Sequence, residues 1–209
     1  MKKSALLVAA ALLMAPGVFA ADGYYATKAD EKAGRVSPGK PAGNIFGAPT
    51  VGGDACPGTA LPASPGTLPY NDSDTTIGAN NTVTSLPAGC SNYTTVAGPD
   101  KIYSMVVGSA TNSMTVTVTP TGATGYDPAT YLINTCPAGT ANAITTGCIK
   151  GADAGIANQA ETFTVSNIAA ATYYLFVDSF YSTGAASAGA YTLAVTGTVP
   201  VELMKFSVE

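Results

Sequence analysis

The chain has no histidine against 13 Asp and Glu residues, so any chemistry it performs has to come from carboxylates, hydroxyls and lysines. Nucleophilic catalysis of the Ser-His-Asp or Cys-His kind needs a base that titrates near neutrality, and no such residue is present. A Ser–Lys dyad would fall to Lys101 or Lys150, but the first opens a predicted strand and the second sits in a predicted turn, positions that suit solvated ends. Glycoside hydrolysis needs two carboxyl groups facing each other across a cleft. Between residues 54 and 197 the sequence offers only Glu161 and a few aspartates, mostly in turn-like segments. A hydrolase would have to draw on Asp100, Glu161 and Asp178. No glycine-rich nucleotide motif occurs. The residues point away from an enzyme.

Calcium is the one cofactor they suggest. It takes six to eight oxygens from carboxylates, amides and backbone carbonyls, and loop-rich β-proteins supply these readily. The candidate donors are Asp72, Asp74, Asn80, Asn81, Asp100, Asp127, Asp153 and Asp178. Asp127 in "YDP" and Asp72 and Asp74 in "YNDSDTT" read as turn openers; of the aspartates, that leaves Asp100, Asp153 and Asp178 as the calcium set. Asp178 raises a question of its own, because it ends the apolar run "ATYYLFVD". Buried carboxylates are paired or coordinated, and backbone amides of the following "SFYSTG" turn are expected to cap this one. Four cysteines stand at 56, 90, 136 and 148 with no CxxC pair and no histidine beside them, a pattern that argues against zinc.

The elements that must position these residues are strands. "SMTVTVTP" alternates, with Met114, Val116 and Val118 on one side and Thr115, Thr117 and Thr119 on the other. "AYTLAVTG" does the same with Tyr191, Leu193 and Val195, and "ETFTVSNI" with Phe163 and Val165. A period of two in β-branched and aromatic residues marks half-buried strands. "DTTIGAN", "KIYSMVV", "ATYLIN" and "TYYLFVD" are further strands, separated by clusters of Gly, Pro, Asn and Asp. The run "YYLFV" is apolar on both faces and belongs at the centre of a sheet. The pattern predicts an all-β fold, an antiparallel β-sandwich or jelly roll of about seven to nine strands.

Residues 1–20 have the form of a secretory signal peptide: Lys2 and Lys3, an apolar run, then Val18-Phe19-Ala20. The apolar run is shorter than the roughly 20 residues a membrane span requires, and nothing later is long enough, so a mature protein without a transmembrane segment is expected. Removing Lys2 and Lys3 takes nine basic residues to seven against 13 acidic ones. Such a surface repels nucleic acid and anionic lipid. Residues 21–53 carry much charge, Gly and Pro and read as a flexible leader; 54–197 form the domain and 198–209 a tail. In an exported chain four cysteines imply two disulfides, and Cys56–Cys90 with Cys136–Cys148 is the pairing that closes the most local loops.

The segments "GPDKIYSMVV", "SMTVTVTP", "YDPATYLINTCP" and "ETFTVSNIAAATYYLFVDSFYSTGAASAGAYTLAVTG", taken in order, resemble the bacterial pre-peptidase C-terminal (PPC) domain. The most specific parts are Asp100-x-x-Tyr103, the "ATYYLFVD" strand and the "GAYTLAV" strand that follows it. The resemblance implies a secreted, non-catalytic β-sandwich that binds an extracellular protein or polysaccharide, and calcium is known among related modules. An assembly subunit that exchanges a terminal strand with a neighbour is the alternative. Tyr173, Tyr174, Tyr181 and Tyr191 could form a stacking platform, but tyrosines in strands more often pack.

Overall fold

A computed structural model describes residues 52–61, 69–108, 112–122 and 125–198. The signal peptide, the leader as far as residue 51 and the tail from residue 199 lie outside these described residues. Eleven strands follow in order: β1 Thr59–Ala60, β2 Tyr70–Thr75, β3 Val83–Ser85, β4 Lys101–Val107, β5 Ser113–Pro120, β6 Pro128–Ile133, β7 Asn142–Ala143, β8 Cys148–Ala152, β9 Glu161–Ser166, β10 Ala171–Ser179 and β11 Ala190–Thr198. One sheet has the order β1-β4-β10-β6-β8, the second β2-β11-β5-β9, and β3 pairs with β7 alone. The all-β sandwich is as the alternation predicts, with nine strands in its two main sheets.

The two sheets meet through the residues that the period of two turns inward. Met114, Val116, Val118, Phe163, Val165, Leu193 and Val195 from one sheet pack against Tyr103, Leu132, Tyr173, Leu175 and Val177 from the other. Fully burying each aliphatic side chain contributes about 1.5–3 kcal/mol. A second core lies on the far side of the five-stranded sheet. There Val83, Leu86, Cys90 and Val96 cover Ile102, Tyr131, Ile133 and Phe176. β10 therefore faces apolar neighbours on both sides, which is why its sequence does not alternate.

This third layer explains the disulfides. They join Cys56 to Cys136 and Cys90 to Cys148, not the local pairs Cys56–Cys90 and Cys136–Cys148. The segment carrying Cys90 folds back over the sheet and reaches Cys148 on β8, which sequence distance does not reveal. These bridges span 80 and 58 residues, and closing loops that long stabilises by about 4 kcal/mol each in the chain-entropy view. Gly151 makes room for the layer: a Cβ there would stand 2.8 Å from the Tyr131 Cβ and 3.1 Å from the Ser91 Cβ.

Three local expectations change. Asp72 and Asp74 lie within β2 and not in a turn; they alternate with exposed Asn71 and Ser73, a polar edge-strand pattern that apolar counting does not detect. Lys150 is on β8, and Lys101, although it opens β4, is buried. Gly53, assigned to the leader, pairs with Ile102 through hydrogen bonds of 2.9 and 2.8 Å.

Candidate metal centre

At one end of the sandwich the chain leaves β8, the outer strand of one sheet, and enters β9, the outer strand of the other. Asp153 directly follows β8, Glu161 opens β9, and Asp127 directly precedes β6, the neighbour of β8. All three are buried, and one carboxylate oxygen from each lies within 4.8 Å of the others. Hydrogen bonds hold the Glu161 carboxylate and the backbone at Asp153 and Asp127. The Gly155 N–H donates to Glu161 Oε1 at 2.7 Å and the Ala154 N–H to Oε2 at 3.1 Å. The Asp153 N–H donates to Asn92 Oδ1 at 3.2 Å. The Asp127 N–H donates to the Ala186 carbonyl at 3.1 Å. The Asn158 N–H reaches the Tyr126 carbonyl at 2.7 Å and the Gly125 N–H reaches Asn158 Oδ1 at 2.9 Å, tying the loop before β6 to the loop before β9.

These donors are all hard oxygens, the set that suits calcium or magnesium and not zinc or copper. Oxygens on opposite sides of a calcium ion stand about 4.8 Å apart, given bond lengths near 2.4 Å. The triad has the charge and the compactness to hold such an ion.

Of the residues singled out in the sequence, Asp153 belongs to this group, while Asp100 and Asp178 are engaged elsewhere. Asp178 is fully buried; its Oδ1 accepts the Ser179 N–H at 2.6 Å and its Oδ2 accepts the Tyr131 hydroxyl at 2.7 Å. The expected amide cap is thus present, with a second donor from the adjoining strand. Burial, and then the charge of Asp100, push the Asp178 carboxyl well above its ordinary range. Asp100 Oδ2 accepts the N–H groups of Thr82 at 2.6 Å and Val83 at 3.0 Å, which clips β3 to the sheet. Its Oδ1 is buried and takes no hydrogen bond among the described residues. Burial raises Asp100 to about 6, although the bonds from Val83 and Thr82 pull it down. Both carboxyls are shut away from solvent, so neither is presented to a substrate.

In the sequence Asp127 reads as a turn opener in "YDP", and Glu161 only as a catalytic carboxylate. A turn opener and a metal ligand look alike in sequence. The usable signal was position: Asp127, Asp153 and Glu161 each border a strand at the same end of the fold. The tyrosines pack, as expected. Tyr173 and Tyr191 are buried, and the Tyr191 hydroxyl bonds that of Tyr103 at 2.9 Å, which in turn donates to Asp72 at 3.0 Å.

Fold and site together define a disulfide-stapled β-sandwich with a buried carboxylate triad at one end. Among solved structures the chain is similar to the pre-peptidase C-terminal domain of a collagenase from Bacillus anthracis, at 14% identity over 66% of this chain and 93% of that one, with a TM-score of 0.37. It is also similar to PliG of Aeromonas hydrophila, a periplasmic inhibitor of g-type lysozyme, at 13% identity over 67% and 96% of the two chains, with a TM-score of 0.37. The first is a domain of the family that the ordered sequence motifs resemble. No protein-family model and no curated protein matches the chain.

Proposed function

We propose that this chain is an exported, non-catalytic β-sandwich module that binds a protein or polysaccharide outside the cytoplasm, braced at one end by a calcium ion on Asp127, Asp153 and Glu161. The observation that carries the calcium reading is the triad itself: three buried carboxylates with oxygens within 4.8 Å of one another. Carboxylates so close and so dry repel one another, and a cation placed among them would relieve that repulsion. An ion there would tie β6, β8 and β9 together where the chain crosses between sheets. Export is supported by the signal-like residues 1–20 and by the two disulfides, which persist in oxidising compartments. The absence of any histidine and the burial of Asp100 and Asp178 favour a binding role over a catalytic one.

The test is a thermal melt of the oxidised protein in calcium and then in chelator. At a hundredfold excess over Kd, calcium is expected to add about 2.7 kcal/mol, a rise of several degrees in Tm for a domain this size. Glu161→Gln should abolish the rise. A melt indifferent to chelator would end the calcium reading.

A further inference from the structure

We infer that the Cys56–Cys136 disulfide is a thiol-exchange site, opened by a dithiol in neutral or basic surroundings, while Cys90–Cys148 is a fixed staple. The two bridges differ in what surrounds their sulfurs. Cys90 is buried in the second core, and Cys148 and Cys56 pack against it. Cys136 alone of the four cysteines belongs to neither core cluster. It stands on the segment between β6 and β7, where Asn134, Thr135, Ala138, Gly139 and Thr140 are exposed.

An open cavity of about 430 Å³ borders this bridge. Its walls are residues 54–57 and 136–140 together with Asn80, so both halves of the disulfide line it, and neither Cys90 nor Cys148 does. The space admits a thiol-bearing side chain. Attack on a disulfide requires access to a sulfur, and here the access leads to the sulfur that no core covers.

The reaction follows from the bond itself. A thiolate in the cavity attacks Cys136 Sγ; a new S–S bond forms as the Cys56–Cys136 bond breaks, and the electron pair leaves on Cys56 Sγ, which takes a proton from water. The second thiolate of the dithiol then attacks its own partner sulfur in the mixed disulfide, and Cys136 leaves and is protonated in turn. The bridge has gained two electrons and two protons, and the dithiol has lost them. Once open, the wall at 136–140 loses its covalent tie to the wall at 54–57, which stays on the sheet through the hydrogen bonds between Gly53 and Ile102.

Asp54 is the one charged residue that lines the cavity. Asn80 holds its carboxylate: the backbone N–H donates to Oδ1 at 2.6 Å and the side-chain amide to Oδ2 at 3.0 Å. A fixed negative charge beside the bridge repels an anionic thiol and attracts a cationic one. That charge sets the class of reactant. The exchange involves no residue of the metal centre and goes beyond the binding role proposed above.

The experiment treats the full oxidised chain with dithiothreitol under native conditions, alkylates at intervals and maps the labelled cysteines by mass spectrometry. Cys56 and Cys136 should be labelled about tenfold faster than Cys90 and Cys148, or more. The reaction is then repeated with cysteamine, a cationic thiol, and mercaptoethanesulfonate, an anionic one, at equal thiolate concentration. Asp54→Asn should lower the ratio of the cysteamine rate to the sulfonate rate by about threefold. Thr140→Lys, at an exposed position on the other wall, should lower it as well, and a melt of each variant confirms that it folds. Both bridges opening at one rate, Cys90–Cys148 opening first, or a Cys56–Cys136 bridge that resists until denaturant unfolds the chain would overturn the inference. So would a rate ratio that neither variant changes.

Discussion

The outer face of the five-stranded sheet carries Ile102, Tyr131, Ile133 and Phe176 and lies beneath the layer containing β3. That of the four-stranded sheet carries Thr115, Thr117, Thr162 and Thr164 with no such layer recorded among the described residues. Their inner faces are equivalent halves of one core. The difference follows from sequence period. Strict alternation makes a sheet that needs one partner, whereas a strand apolar on both sides needs two. β10 meets that need by recruiting the loop segments around Val83, Leu86 and Val96, which two long-range disulfides and the Asp100 clip hold down.

The largest effect should therefore come from the covered face. Phe176→Ala removes a fully buried ring stacked at 5.1 Å on Tyr131, and a loss of about 3–5 kcal/mol is expected from urea unfolding. A loss below about 1 kcal/mol would mean that the third layer adds little.

Next comes the carboxyl beneath that layer. The folded-state value of about 6 for Asp100 stands above its ordinary 3.8. Its contribution is complete below the ordinary value and is lost as pH rises through about 6. Asp178 shifts in the same direction, through burial and the charge of Asp100, and adds to the loss. Unfolding in chelator should show stability falling from about pH 4 to pH 7, with Asp100 supplying on the order of 3 kcal/mol. Asp100→Asn should flatten that slope. An unchanged slope would remove Asp100 as its source.

The smallest effect belongs to the open face. Thr164→Ala gives up one exposed hydroxyl contact with Thr115 and should alter stability by less than about 0.5 kcal/mol. A larger loss would mean that the hydroxyl rows are structural.

The same contrast separates what could be read from sequence from what could not. β5, β9 and β11 were legible residue by residue because half-burial writes a period of two. β4, β6 and β10 were legible as apolar runs. β3, β7 and β8 were not, because two- to five-residue strands carry too few positions to show a period. The true pairing of the cysteines depended on that unseen layer. In the site, Asp153 was legible as a loop carboxylate. Asp127 was hidden by its fitness as a turn residue, and Glu161 because a lone carboxylate in the sequence was legible only as a candidate catalytic group.

Calorimetric titration of the chelator-stripped protein with calcium tests the central claim most directly. One ion per chain is predicted for the wild type, with binding abolished in Glu161→Gln and retained in Asp178→Asn. No heat of binding in the wild type, or binding that survives Glu161→Gln and disappears in Asp178→Asn, would contradict the triad of Asp127, Asp153 and Glu161.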